Sequence, residues 1–242
     1  MSTILAVDHL SKSFGAVTVA DEINFSINEG AAIGILGPNG AGKSSLFNMI
    51  TGALDADFGD ITFEGKSILD LGAAERCRLG IARAFQVPHP FVGMTVFENV
   101  LVGAFQGAGM KGHIAEKYAL EVLDLTGLLP KANIKAGVLN LLDRKRLEMA
   151  RALAAKPKLL LLDEIAGGLT EAECSTLIDT IKAVQKSGTT ILWIEHVVHA
   201  LLAVVDKIIV IDFGRKVAEG EPNAIMASAE VKEIYLGIDP DV

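Results

Sequence analysis

What this sequence lacks narrows its function first. Its 242 residues hold no apolar run near the roughly 18 to 20 residues that a membrane-spanning helix needs. The longest candidates, Leu159–Leu162 and Ile208–Ile211, have the length of buried strands. The opening MSTILAVDHLSKSF meets Asp8 before any apolar stretch of signal-peptide length, so a leader is not expected and the chain should be soluble when isolated. Cysteine is scarce. Cys77 and Cys174 lie far apart, outside any metal-ligand spacing, and are expected to be reduced and structural. Basic charge is in deficit, with 22 Lys and Arg against 30 Asp and Glu, a net charge of -8. That argues against a general nucleic-acid binder, which carries a basic face. Internal repeats and low-complexity segments are absent too.

What is present is a chain long and apolar enough to bury a real core. The first third reads as strands at Ile4–Asp8, Val17–Ile27, Ala31–Leu36 and Asp60–Glu64, apolar or alternating, with turn residues between several of them. After Gly37 the period becomes helical, with Leu46, Ile50 and Leu54 four apart. From about Val87 to Ala155 the pattern is mostly helical, clearest at Ala115–Thr126 and Asp143–Ala155. Strands return at Lys158–Asp163, Thr190–Ile194 and Lys207–Ile211, with a helix at Glu171–Ser187 between the first two. Apolar strands separated by helices predict an α/β fold with a mostly parallel sheet. One domain is expected over residues 1–242, with a core of about 1–86 and 156–242 and a helical insertion of about 87–155.

Two motifs carry chemistry. Gly37-Pro38-Asn39-Gly40-Ala41-Gly42-Lys43-Ser44 fits G-x-x-x-x-G-K-[ST], between an apolar strand and a helix, with Ser45 following. Glycines let backbone N–H groups curl around phosphate oxygens, and the following helix points its positive end at them. Lys43 brings a full charge to the terminal phosphates, and the Ser44 hydroxyl suits Mg²⁺. The second motif is Leu159-Leu160-Leu161-Leu162-Asp163-Glu164, a buried strand ending in two carboxylates. Asp163 is placed to hold Mg²⁺, directly or through water. Glu164 is placed as general base or water-positioner. A strand that ends in acids also occurs simply because strand ends reach solvent.

With both motifs in place, the chain resembles the ATP-binding subunits of ABC transporters from about Leu5 to Gly237, most closely those of branched-chain (hydrophobic) amino-acid importers. The likeness rests on GPNGAGKSSLFNMITG at Gly37–Gly52, ARAFQ at Ala82–Gln86, MTVFENVLVGA at Met94–Ala104, DFGRKVAEGEP at Asp212–Pro222 and EIYLG at Glu233–Gly237. Urea importers and a lipopolysaccharide-exporting ATPase share much of it. The resemblance implies a P-loop NTPase core of mostly parallel sheet, an N-terminal antiparallel β portion and a helical subdomain, with ATP and Mg²⁺ as cofactors.

By position, the resemblance gives Phe14 the role of stacking on adenine; otherwise Phe14 is a core residue. It gives Gln86 contact with Mg²⁺ and the attacking water, and His196 the sensing of the γ-phosphate. His9, His89, His113 and His199 receive no role. It implies integral-membrane permease subunits, a second ATP-binding subunit paired head to tail so that each ATP lies between one subunit's P-loop and the other's signature, and a periplasmic or extracellular solute-binding protein. The altered signature described below is the reason to expect that second subunit to be a different chain. The chain would sit peripherally on the cytoplasmic face of the membrane, with no nucleic-acid partner. Val87-Pro88-His89-Pro90-Phe91-Val92 would border the groove for a permease helix; otherwise it is a core-covering loop.

Three positions depart from the pattern. Ile165 stands where proline follows the catalytic glutamate, and Thr170 replaces an aspartate or asparagine after Gly167-Gly168-Leu169. The signature Leu-Ser-Gly-Gly-Gln, counted back from Arg146–Arg151, reads Leu139-Asn140-Leu141-Leu142-Asp143. Asn140 is expected to cap the following helix, and Asp143 in its first turn to offset the helix's positive end. That change keeps open a subunit that binds ATP but acts as a regulatory partner. A GTPase would carry an Asn/Thr-Lys-x-Asp motif, which is missing; a DNA-handling relative would need a long coiled coil, and a translation-type one a second P-loop.

Overall fold

The computed structural model describes residues 2–236. The Gly237 that ends the EIYLG match lies outside them. In chain order the elements are β1 (Thr3–Phe14), β2 (Val17–Asn28), β3 (Ala32–Leu36), α1 (Lys43–Thr51), β4 (Phe58–Phe63), β5 (Lys66–Ser67), α2 (Ala73–Leu79), β6 (Ile81–Ala84), α3 (Val96–Gln106), α4 (Gly112–Leu125), α5 (Leu141–Ala154), β7 (Leu159–Asp163), α6 (Glu171–Lys186), β8 (Thr190–Ile194), α7 (Val198–Leu202), β9 (Lys207–Asp212), β10 (Arg215–Gly220), α8 (Pro222–Ala227) and α9 (Ala229–Leu236). Two short 3₁₀ turns, Leu129–Lys131 and Ala136–Val138, lie before α5. No helix of the described residues is long and apolar enough to cross a membrane.

The chain divides into two compact units. The first comprises the described residues of Met1–Ala73 and Leu192–Val242. In it β1 pairs antiparallel with both β2 and β4, and Leu5, Val7, Leu10, Ile23, Phe25, Ile27, Ile61 and Phe63 are buried. The predicted strand Ile4–Asp8 is thus the start of a longer one, carried to Phe14 by irregularities in register after Val7. Strand β3, buried throughout, runs parallel to β9, with Ile33 opposite Lys207 and Leu36 opposite Val210. Strand β10 returns antiparallel along β9. Helix α1 buries Leu46, Phe47, Met49 and Ile50 but stops at Thr51, where Gly52 takes a left-handed conformation. Leu54, read as the next helical position, therefore lies beyond the helix end.

The second unit is Ala74–Ile191. Strands β6 and β7 pair in parallel, Ile81 opposite Leu159 and Ala84 opposite Leu162. Helix α3 approaches α5 closely because Gly103 and Gly107 carry no side chain: a Cβ on Gly103 would sit 2.5 Å from the Arg151 carbonyl oxygen. Capping fixes where the helices begin. Thr95 and Glu98 form a capping box on α3, and Thr170 and Glu173 another on α6. The predicted helices match α4, α5 and α6 within a few residues. The sequence reading did not resolve α2, β6 or β10, which are seven residues or shorter.

Candidate functional site

The Gly37–Ser44 loop leaves the buried β3 and turns directly into α1. Its shape depends on glycine. Gly42 has φ 102°, and a Cβ there would lie 2.0 Å from the Val19 carbonyl oxygen. A Cβ on Gly37 would lie 2.0 Å from the Ile211 carbonyl oxygen. The loop is thus wedged between β2 and β9, and Gly214 N–H donates to the Ala41 carbonyl at 3.0 Å to fasten it. Lys43 is buried, its Nζ donating to the Gly37 and Pro38 carbonyls at 2.7 and 2.9 Å, so the ammonium folds back over the loop. Gly42 is the N-cap of α1, no side chain caps that end, and its first turn holds no acid. Asn39, Gly40 and Ser44 are exposed and Ser45 is half-buried. A loop narrowed to glycine, a lysine over it and an uncapped helix start fit a chain of phosphates.

Phe14 ends β1 with 53% of its surface exposed, which removes the reading of it as a core residue. Lys12 Nζ lies 5.5 Å from its ring centroid. His196 follows β8 and is exposed; its backbone N–H donates to Glu195 Oε1 at 3.0 Å, and Glu195 itself is fully buried.

In the second unit, Asp163 ends β7 in an ion pair with Arg83 Nη2, both side chains being almost buried. Arg83 also lies over the Phe85 ring at 4.7 Å. Glu164 leaves the strand at φ 47°, a left-handed turn that a non-glycine residue adopts only under constraint. Gln86 Nε2 donates to Glu164 Oε2 at 2.6 Å. The fold therefore brings together Gln86 and Glu164, which lie 78 positions apart. Arg83 was not singled out by sequence reasoning. Its signal lay inside the ARAFQ segment, where a single cation stands among strand residues.

The altered positions acquire physical explanations here. Ile165 is fully buried, so an apolar side chain serves where proline is usual. Thr170 is the N-cap of α6, its Oγ1 accepting from the Glu173 N–H at 3.4 Å, a task that aspartate or asparagine also performs. At the signature position, Asn140 caps α5 as expected, its Oδ1 accepting from the Asp143 N–H at 2.9 Å. Asp143, expected to offset the helix's positive end, is instead buried in an ion pair with Lys131, which shares its charge. Leu141 is exposed and reaches Gly168, where a Cβ would meet its Cδ2 at 3.5 Å.

Known relatives match nearly the whole chain. The family model described as ABC transporter matches residues 20–167. The probable branched-chain amino acid transport ATP-binding protein of Methanocaldococcus jannaschii is 34% identical over 97% of this chain and 97% of its own length. The high-affinity branched-chain amino acid transport ATP-binding protein of Salmonella typhimurium is 34% identical over 97% of this chain and 98% of its own. A crystal structure of the ADP conformation of an ATP-binding cassette of an ABC transporter superposes with a TM-score of 0.90 at 33% identity, covering 98% of this chain and 100% of that one. A dimeric ATP-binding cassette in a post-hydrolysis state with ADP and Pi gives 0.78 at 26% identity, covering 90% and 99%. The phosphate loop, the strand-end carboxylates and these matches together establish that the chain belongs to the ABC transporter family, as one of its ATP-binding, ATP-hydrolysing subunits.

Proposed function

We propose that the chain hydrolyses MgATP to drive transport of branched-chain or other hydrophobic amino acids, or a related small solute. The observation that carries the hydrolytic part is the Gln86–Glu164 hydrogen bond at 2.6 Å, which holds a candidate base beside the amide that would orient water. The amino-acid part rests on the printed names of its relatives. When bound, MgATP supplies the scissile phosphoanhydride and a cation that neutralises developing charge.

The residues of the chain divide the work. Gly37, Pro38, Asn39, Gly40, Ala41 and Gly42 offer backbone N–H groups or turn geometry to phosphate, Lys43 its ammonium, and Ser44 and Ser45 their hydroxyls. Phe14 offers an exposed aromatic face to adenine, a contact that needs no hydrogen bond. Ser44, Gln86 and Asp163 are assigned to Mg²⁺. The Arg83 guanidinium already occupies Asp163 Oδ2, which favours contact with the metal through water. Glu164 takes the proton of the attacking water, and His196 contacts the γ-phosphate.

Residues 87–155 act as a helical subdomain of a single domain 1–242. The exposed Val87, Phe91 and Val92 suit a membrane permease on its cytoplasmic face. A second, different ATP-binding chain pairs with this one head to tail, and a solute-binding protein feeds the system. The test is Glu164→Gln in the assembled complex. Turnover should fall about 10²- to 10⁴-fold with ATP affinity nearly intact, and labelled leucine uptake should fall with it. Turnover within about threefold of wild type would remove Glu164 from the mechanism.

A further inference from the structure

Helix α5 carries a buried cation that none of the roles above uses. Lys145 is 3% exposed, and a buried ammonium is costly unless its donors are engaged. Its Nζ donates to two backbone carbonyls, those of Gln86 and Glu164, each at 3.4 Å. These residues are the same two whose side chains meet at 2.6 Å. One ammonium thus spans the backbone of both partners while their side chains bond to each other. Glu164 also sits at φ 47°, a conformation that persists only where the surroundings over-determine it. A donor aimed at its carbonyl selects that peptide orientation.

The same helix face holds the neighbouring loop at a second point. Glu148 Oε2 accepts from the His89 N–H at 3.3 Å, Arg151 Nη1 donates to the His89 carbonyl at 2.7 Å, and Arg151 lies over the Phe91 ring at 5.0 Å. Positions 145, 148 and 151 are three apart, on neighbouring turns of one face. Helix α5 begins at the altered signature, so a rigid element joins Leu139–Asp143 to the Gln86–Phe91 loop and to the turn at Glu164.

We infer that Lys145 is a positioning residue which, by bridging the Gln86 and Glu164 carbonyls, fixes these two side chains for hydrolysis and ties them to the signature helix. This rests on the reading of Glu164 as base. The shift of register that loss of the bridge allows is small, but displacements near 1 Å in a reacting group cost about 10²-fold. Lysine here acts on the turnover step, because its ammonium holds the carbonyls of the hydrolytic pair.

The test uses the assembled transporter and compares Lys145→Met, Lys145→Arg and Glu164→Gln, singly and with Met and Gln combined. Lys145→Met should lower kcat about 10- to 100-fold with KM for ATP changed by no more than about twofold. Lys145→Arg, which retains charge and donors, should recover most of that loss. In the Glu164→Gln background, Lys145→Met should add almost nothing, as expected of residues acting as a unit. Should Lys145→Met fail to assemble, Lys145→Leu replaces it, equally without a donor and with the same expectation. A kcat near wild type in the methionine variant, a rise in KM alone, or full additivity with Glu164→Gln would overturn the inference. An active Glu164→Gln enzyme would instead overturn the assignment of the base itself, which separates the two failures.

Discussion

Helix α1 follows the phosphate loop and helix α5 follows the altered signature, and the two begin in opposite ways. Helix α1 starts at Gly42, with no side-chain cap and no acid in its first turn. Helix α5 starts at Asn140, whose side chain takes the Asp143 N–H, and Asp143 is itself tied to Lys131. Four backbone N–H groups at a helix start lack helical partners. Leaving them uncapped makes an anion site; filling one with an asparagine oxygen makes a stable helix end with less to offer a phosphate. Bulk adds to the contrast, since Leu141 and Leu142 stand where glycine permits close backbone approach, whereas the first loop retains Gly37, Gly40 and Gly42. The helix start is thus open at α1 and closed at α5.

Substitutions in the open loop should have the largest effect on that comparison. Gly42→Ala forces a left-handed residue and a Cβ 2.0 Å from the Val19 carbonyl oxygen, whereas Gly40→Ala, at φ 83°, meets nothing within 4 Å. Backbone strain of about 1–3 kcal/mol corresponds to roughly 5- to 150-fold in affinity. Titration with a fluorescent ATP analogue should show Gly42→Ala losing at least that much and Gly40→Ala clearly less. Equal losses would mean that the wedge against β2 does not shape the loop.

A middle-sized effect probes what the closed helix supports instead. Phe91 is 44% exposed, and the Arg151 of α5 lies over its ring at 5.0 Å. Phe91→Asp should leave ATP affinity unchanged and weaken co-purification with the permease by about 10- to 100-fold in Kd, the usual worth of an aromatic anchor. A complex that survives and still transports would place the permease contact elsewhere.

The smallest effect concerns capping alone. Thr170→Ala removes the α6 cap and should lower stability by about 1 kcal/mol, read as a reduced melting temperature, while Thr170→Asp should be nearly neutral. The Thr170 backbone N–H, and then its hydroxyl, hold the Glu173 carboxyl below its ordinary value. A lowered folded-state pKa means that this contribution is present at neutral pH and lost as pH falls through the carboxylate range. The stability gap between wild type and Thr170→Ala should therefore narrow in acid.

Much of this was legible in the sequence because the signals were local. The loop Gly37–Ser44, the strand ending in Asp163 and Glu164, and the Asn140 cap are each set by residues within a few positions of one another. The helices α4, α5 and α6 showed through their apolar spacing. Strand β10 did not, because its residues are mostly half-buried and it is defined by pairing with β9. Leu54 misled because apolar spacing does not register the left-handed Gly52 that ends α1. The partners Arg83 with Asp163 and Lys131 with Asp143 were hidden for another reason. Their members are 80 and 12 residues apart, and no pattern along the chain announces which cation a buried carboxylate will meet. Lys145 was hidden in the same way, since its partners are backbone carbonyls that any residue would carry.

We propose that this chain's open phosphate loop works with an ordinary signature on a different subunit, while the site that faces its own closed signature is slow or silent. The most direct measurement is transport-coupled ATP hydrolysis by the reconstituted complex, with the phosphate-loop lysine mutated in one ATP-binding subunit at a time. Lys43→Ala in this chain should abolish most of the activity, leaving about a tenth or less, because the β- and γ-phosphates lose their fixed charge. The equivalent substitution in the partner subunit should cost about half or less on the same argument. Equal losses from the two variants, or a fully active homodimer of this chain, would contradict the claim and show that Leu139–Asp143 is a working form of the signature.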